Sequence, residues 1–205
     1  MKGIKNILFD LGGVLIDLDR SKAVKAFKEL GFDNIDEFLG DYGQKGPFLA
    51  LEDGKATELE FYDAIREYIP NATNEEIANA FMQFLQGLPM EKLKMVRSLK
   101  EKGYRTMMLS NTNPLMFGPI CETYFKQEGL DINAYFNDVF LSYELGCIKP
   151  DEKIYKRLIE QSGINPSETL FIDDSKANLD TAVTIGFETF LAQQYSDFSH
   201  IFEDK

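Results

Sequence analysis

Five short apolar runs, at residues 4–10, 104–110, 139–142, 169–174 and 187–192, punctuate this chain, and helix-like segments lie between them. Each run has the length of a strand and a nearly continuous apolar face, the pattern of strands buried on both sides. Segments 92–102, 152–162 and 179–185 between them carry helical periodicity, and glycines follow at 103, 163 and 186. Pro114 suits the first turn of a further helix. Alternation of this kind predicts an α/β fold with a parallel sheet wrapped in helices. Ligands of such sheets bind beyond the carboxyl ends of the strands. Asp10, Ser110-Asn111, the Lys149-Pro150 loop and Asp173-Asp174 fall at those ends.

One stretch breaks the alternation. From about residue 21 to 86 the apolar residues keep helical spacing: Ala23, Phe27 and Leu30; Ile35, Phe38 and Leu39; Leu59, Tyr62, Ile65 and Ile69; Ile77, Phe81 and Leu85. Turn signals separate them at Gly31, Gly43 to Pro47, Asp53-Gly54 and Pro70-Asn71. The expectation is a core of residues 1–17 and 88–205, with residues 18–87 inserted as an all-helical unit free of strands.

Composition narrows the function. The 22 basic and 34 acidic residues leave a net charge of −12, which repels nucleic acid and anionic membranes. Neither is expected as a partner, and the chain is expected to be a monomer or weak homodimer. An anionic substrate would need a local positive site, which a bound metal and one lysine can supply. The two cysteines, Cys121 and Cys147, have no paired spacing, so a disulfide framework or zinc site is not expected, and Cys147 reads as a packing residue. A lone histidine, His200, leaves little room for Ser-His-Asp or Cys-His chemistry. No apolar run reaches the ~20 residues of a membrane helix, and Met1 to Asn6 lacks the form of a signal peptide. A cytoplasmic location is expected.

Taken singly, each strand-end signal has a bland explanation: Asp10 as a turn residue, Ser110-Asn111 as a helix cap, Lys149 as a solvated lysine, Asp173-Asp174 as acids at a helix start. Four such signals in order, each at a strand end or in the next loop, favour a shared site. Together they resemble the haloacid dehalogenase superfamily, most of whose members are phosphatases. Its first motif is matched by Phe9-Asp10-Leu11-Gly12-Gly13-Val14-Leu15, its second by Leu109-Ser110-Asn111-Thr112-Asn113, its third by Gly146-Cys147-Ile148-Lys149-Pro150-Asp151, and its fourth by Phe171-Ile172-Asp173-Asp174-Ser175 with Asn178 following.

The resemblance implies a Rossmann-like core with a small helical cap. It also implies a Mg²⁺-dependent phosphatase in which Asp10 is the nucleophile and Lys149 neutralises charge. Asp10, the Gly12 carbonyl, Asp173 and Asp174 would serve the metal, Ser110 and Asn111 the phosphoryl oxygens, and Asn178 would orient the acids. In the cap, Lys45 and Gln44 of the Gly43 to Gly46 turn are candidate substrate contacts, although an exposed turn with a solvated lysine is as good a reading. Phe48, Phe61, Phe81 and Phe84 read as cap core. A small cap favours small phosphorylated metabolites.

One position departs from the pattern. Most phosphatases resembling this chain carry an acid two residues after the nucleophile, as general acid and base; here that position is Gly12. Such a group is worth ~10²–10⁴-fold in rate. Three explanations stand open: a substrate with a good leaving group, a replacement acid such as Asp17 or Asp19, or a weak or binding-only protein. The first motif also resembles that of bacterial α-D-glucose-1-phosphate phosphatases, which share the glycine and favour a sugar phosphate. Metal-independent 2-haloacid dehalogenation is a further alternative, disfavoured by the acid pair at 173–174, which is costly without a cation.

Overall fold

A computed structural model describes residues 3–41 and 43–202. Among them, five strands form one parallel sheet in the order β5-β4-β1-β6-β7: β1 (Asn6–Phe9), β4 (Arg105–Ser110), β5 (Asp138–Leu141), β6 (Thr169–Asp173) and β7 (Glu188–Leu191). The central strands are buried along their length because both faces carry helices: Ile7, Leu8 and Phe9 of β1 and Met107, Met108 and Leu109 of β4 are fully enclosed. The helices are α5 (Met90–Glu101), α6 (Pro114–Thr123), the single turn α7 (Ser142–Leu145), α8 (Glu152–Ser162) and α9 (Lys176–Ile185). Ser142 ends the expected third run as the first residue of a helix rather than the last of a strand.

From β1 the chain steps outward to β4 and β5, then crosses to β6 on the other side of β1 and out to β7. Reversal of direction about β1 opens a crevice at the carboxyl ends of β4, β1 and β6. Register sets the ends side by side: Phe9 lies between Met108 and Ile172, and the Asp10 N–H donates to the Ile172 carbonyl at 2.9 Å. Asp10, Ser110 and Asp173 are therefore neighbours in space.

The inserted segment holds α1 (Arg20–Glu29), α2 (Gly46–Glu52), α3 (Glu58–Arg66) and α4 (Asn74–Met82). Thr57 and Thr73 open α3 and α4 with reciprocal capping boxes to Glu60 and Glu76. The segment is not free of strands. Its two ends pair antiparallel as β2 (Asp17–Leu18) and β3 (Leu85–Gly87), a narrow ribbon joining it to the sheet. Two or three residues of alternating pattern are too few to register as strands in sequence, and Leu85 continues the helical spacing before it. Phe48 is the hub of the segment's core, edge-on to Phe27, Phe61 and Phe81 at centroid distances of 5.5, 5.2 and 5.0 Å. Leu59, placed on the apolar stripe by its spacing, is 65% exposed, while Phe61 faces inward. No helix among the described residues is long and apolar enough to cross a membrane.

Candidate active site

Lys149 joins the strand ends. Its ammonium is 2.8 Å from Asp10 Oδ1, 2.8 Å from Asp173 Oδ2 and 3.0 Å from the Leu109 carbonyl, which uses all three of its donors. Burial alone would lower its pKa, but the two carboxylates outweigh that and hold it above the usual lysine value. The backbone of Lys149 is gripped as firmly. The Asn111 side chain donates to its carbonyl at 2.9 Å and accepts from its N–H at 2.8 Å. Asn111 lines the cavity described below, yet its amide already serves this clamp, a duty that a reading as an anion ligand does not capture.

Asp173 is fully buried and saturated. Oδ1 accepts from the Ser175 N–H at 2.8 Å and from the Asn178 amide at 3.0 Å; Oδ2 accepts from Lys149 and, at 3.1 Å, from Asn178. Asp174, the next residue, turns the other way and lines the cavity. Gly13 lets it do so: at a φ of +75°, a Cβ there would stand 2.1 Å from Asp174 Oδ2, so only glycine allows the loop after β1 to approach the acid. Asp10, Asp173 and Asp174 each offer an oxygen within 4.8 Å of the others.

The charges do not balance. Three carboxylates share one ammonium. Burial, with Asp173 and Asp174 alongside, pushes Asp10 up to about 8 in spite of Lys149. Burial and Asp173 raise Asp174 to about 6. Excess buried negative charge in a set of hard oxygen donors, with no imidazole or thiolate among them, fits a hard divalent cation such as Mg²⁺.

Above this floor lies a cavity of about 100 Å³. Asp10, Gly12, Ser110, Asn111, Lys149, Asp174 and Asn178 line its lower side, and Gln44, Glu52, Phe81 and Phe84 come from the inserted segment. Phe81 and Phe84 thus belong both to the insertion's core and to the wall of the cavity. Ser110 and Thr112 lead into α6, whose N-terminal amides supply a positive end for an anion. Of the two turn residues proposed to reach a substrate, Gln44 lines the cavity, while Lys45 is exposed, outside the lining, its N–H donating to the Phe38 carbonyl. Neither candidate replacement acid lines the cavity. Asp19 caps α1 through Ser21, and Asp17 lies 3.5 Å from Lys92 at the ribbon.

Glu52 was not singled out by its sequence context. It ends α2 on the same face as Phe48 and Leu51, at helical spacing, and an acid on an apolar stripe is the signal that could have marked it. Its residue is 8% exposed, and burial, with Asp53 next to it, pushes its carboxyl up to about 8.

The family model for haloacid dehalogenase-like hydrolases matches residues 4–186. A D-ribitol-5-phosphate phosphatase of Bacteroides thetaiotaomicron is 40% identical over 196 residues, covering 95% of each chain. A haloacid dehalogenase family enzyme of the same organism, solved in complex with magnesium and inorganic phosphate, aligns at a TM-score of 0.91 and 40% identity over 98% of this chain and 100% of that one. A predicted hydrolase of the same type from Porphyromonas gingivalis aligns at 0.90 and 36% identity over 98% and 99%.

Proposed function

The chain belongs to the haloacid dehalogenase-like hydrolases, and on that premise we propose that it is a Mg²⁺-dependent phosphatase of small phosphorylated sugars or sugar alcohols, working through an aspartyl-phosphate on Asp10. The observation that carries this is the Lys149 bridge between Asp10 and Asp173 beneath a cavity that both the sheet ends and the inserted segment line. It holds a carboxylate oxygen at the cavity floor, with cationic charge where phosphoryl charge would develop. The sugar-alcohol phosphate handled by the 40% identical relative and the modest cavity volume of about 100 Å³ support a small substrate.

Asp10, the Gly12 carbonyl and Asp174 are the groups to hold the metal. Asp173 sits behind them, spent on Lys149, Asn178 and Ser175. Bound Mg²⁺ supplies positive charge that offsets repulsion between the nucleophile and an anionic phosphoryl group. The chain's own groups do the rest. Asp10 forms a bond to phosphorus as the ester oxygen departs on the opposite side. The Ser110 hydroxyl and the N-terminus of α6 hold the phosphoryl oxygens, and Lys149 neutralises charge on the side facing Asp10. Water then breaks the bond between phosphorus and Asp10. Residues 18–87 act as a cap that closes over the cavity and keeps bulk water out during attack, with Gln44 at its inner face. A cytoplasmic location accords with two unpaired cysteines.

The test is phosphate release over a panel of sugar, sugar-alcohol and nucleotide phosphates, with and without Mg²⁺, for the wild type and Asp10→Asn. Turnover that needs Mg²⁺ and disappears in the variant is expected. Turnover that survives excess chelator, or survives Asp10→Asn, rules the reading out.

A further inference from the structure

The mechanism above leaves a proton without a donor. An alkoxide is a poor leaving group, and the position where an acid would follow the nucleophile is Gly12. Glycine carries no side chain, so nothing at that position can hold a proton for the leaving oxygen. A proton source must therefore come from another wall of the cavity. Besides Asp10 and Asp174, the carboxylates lining it are Asp41 and Glu52. Asp41 is exposed to solvent, whereas Glu52 is buried.

The direction of the reaction selects between walls. In an in-line displacement the departing oxygen lies on the side of phosphorus away from Asp10, toward the inserted segment. Glu52 is the buried acid of that wall, and the fold pins it there. The Ser142 hydroxyl donates to the Glu52 carbonyl at 2.6 Å and accepts from the Thr112 N–H at 3.0 Å, tying the end of α2 to the loop that follows Ser110. Two residues on, Gly54 at a φ of +70° lies so close to the core that a Cβ would stand 2.2 Å from the Tyr143 carbonyl oxygen.

Building on the phosphatase reading, we propose that Glu52 is the general acid and base of this enzyme, taking the role that Gly12 cannot fill. In the first step the Asp10–phosphorus bond forms, the bond from phosphorus to the ester oxygen breaks, and the Glu52 carboxyl gives its proton to that oxygen, which leaves as an alcohol. In the second, water attacks phosphorus, the Glu52 carboxylate takes the proton of the water, and the Asp10–phosphorus bond breaks to release phosphate. Glu52 ends protonated, as it began. Burial favours the required starting state, since it pushes the carboxyl toward its neutral form, which adds no charge against an anionic substrate.

Leaving-group dependence reads this directly. Single-turnover rates with Mg²⁺ are compared for a sugar-alcohol phosphate, whose alkoxide needs a proton, and p-nitrophenyl phosphate, whose phenolate does not. In Glu52→Gln the sugar-alcohol phosphate rate should fall ~10²–10⁴-fold with little change in KM. The burst of p-nitrophenol should keep its rate, followed by a slower steady state as water loses its base. Glu52→Asp should recover part of the sugar-alcohol phosphate rate, which a merely packed glutamate would not require. Equal loss on both substrates, no loss on either, or no recovery by aspartate overturns the assignment while leaving the phosphatase reading intact. A wild-type protein that hydrolyses neither ester overturns both.

Discussion

At the scale of the residue, the site depends on which buried charges have partners. Lys149 and Asp173 are saturated with hydrogen bonds, so their charges are well supported. Among the described residues Glu52 has no comparable support, and stability should record it. Its folded-state pKa stands above the unfolded value of 4.5, at about 8. In that interval the folded protein keeps a proton that the unfolded chain has lost, so stability falls as pH rises from about 4.5 to about 8. Glu52→Gln keeps the shape and removes the titration. Urea unfolding of the metal-free protein is therefore expected to show the variant gaining on the wild type steadily across that window, with no further divergence above it. Asp10 is raised into the same range, so the difference between the two proteins, rather than either profile alone, carries the result. A pH-independent difference would mean that Glu52 is solvated.

Among elements, the turn between α2 and α3 governs how the cap meets the core. Backbone packs against backbone there, and Gly54 is the residue that permits it, through both its left-handed φ and the missing Cβ. Gly54→Ala introduces strain and a clash with the Tyr143 carbonyl at once. The expected outcome is a cap that seats poorly: KM rises, kcat falls, and amide exchange quickens across residues 46–56, while β1, β4 and β6 stay protected. Uniform loss of protection would instead place the defect in the fold as a whole. The capping boxes at Thr57 and Thr73 and the aromatic cluster around Phe48 hold the cap's own shape, so docking and internal order are separable.

For the whole molecule, a net charge of −12 and a floor of three carboxylates make the cation central. A ligand that binds only the folded state stabilises it by about 2.7 kcal/mol at one hundred times its Kd. For a chain of this size each kcal/mol moves Tm by roughly 2–4 °C. Mg²⁺ is thus expected to raise Tm by several degrees, and inorganic phosphate to add to the rise only when Mg²⁺ is present. Scanning calorimetry that shows a phosphate effect without metal would contradict the view that the cation makes this acidic cavity receptive to anions.

Sequence alone determined the sheet, its helices, the strand ends near which Asp10, Ser110, Asn111, Asp173 and Asp174 stand and the later loop that carries Lys149, because strand runs, helical periodicity and turn residues are local patterns, and the resemblance of the motifs pointed to a shared site. Only the tertiary structure decided where those side chains lie: Asp173 buried and Asp174 lining the cavity, the Asn111 side chain bonded to the Lys149 backbone, Lys45 left in solvent. Glu52 shows in sequence only as an acid on the apolar stripe of α2, and its place beside the cavity was decided by the fold in the same way. Its backbone is held by the Ser142 contact, 90 residues away in sequence. Local periodicity marks the buried face of most helices here, Leu59 being an exception; what that face meets depends on contacts between segments distant in the chain, which no local pattern encodes.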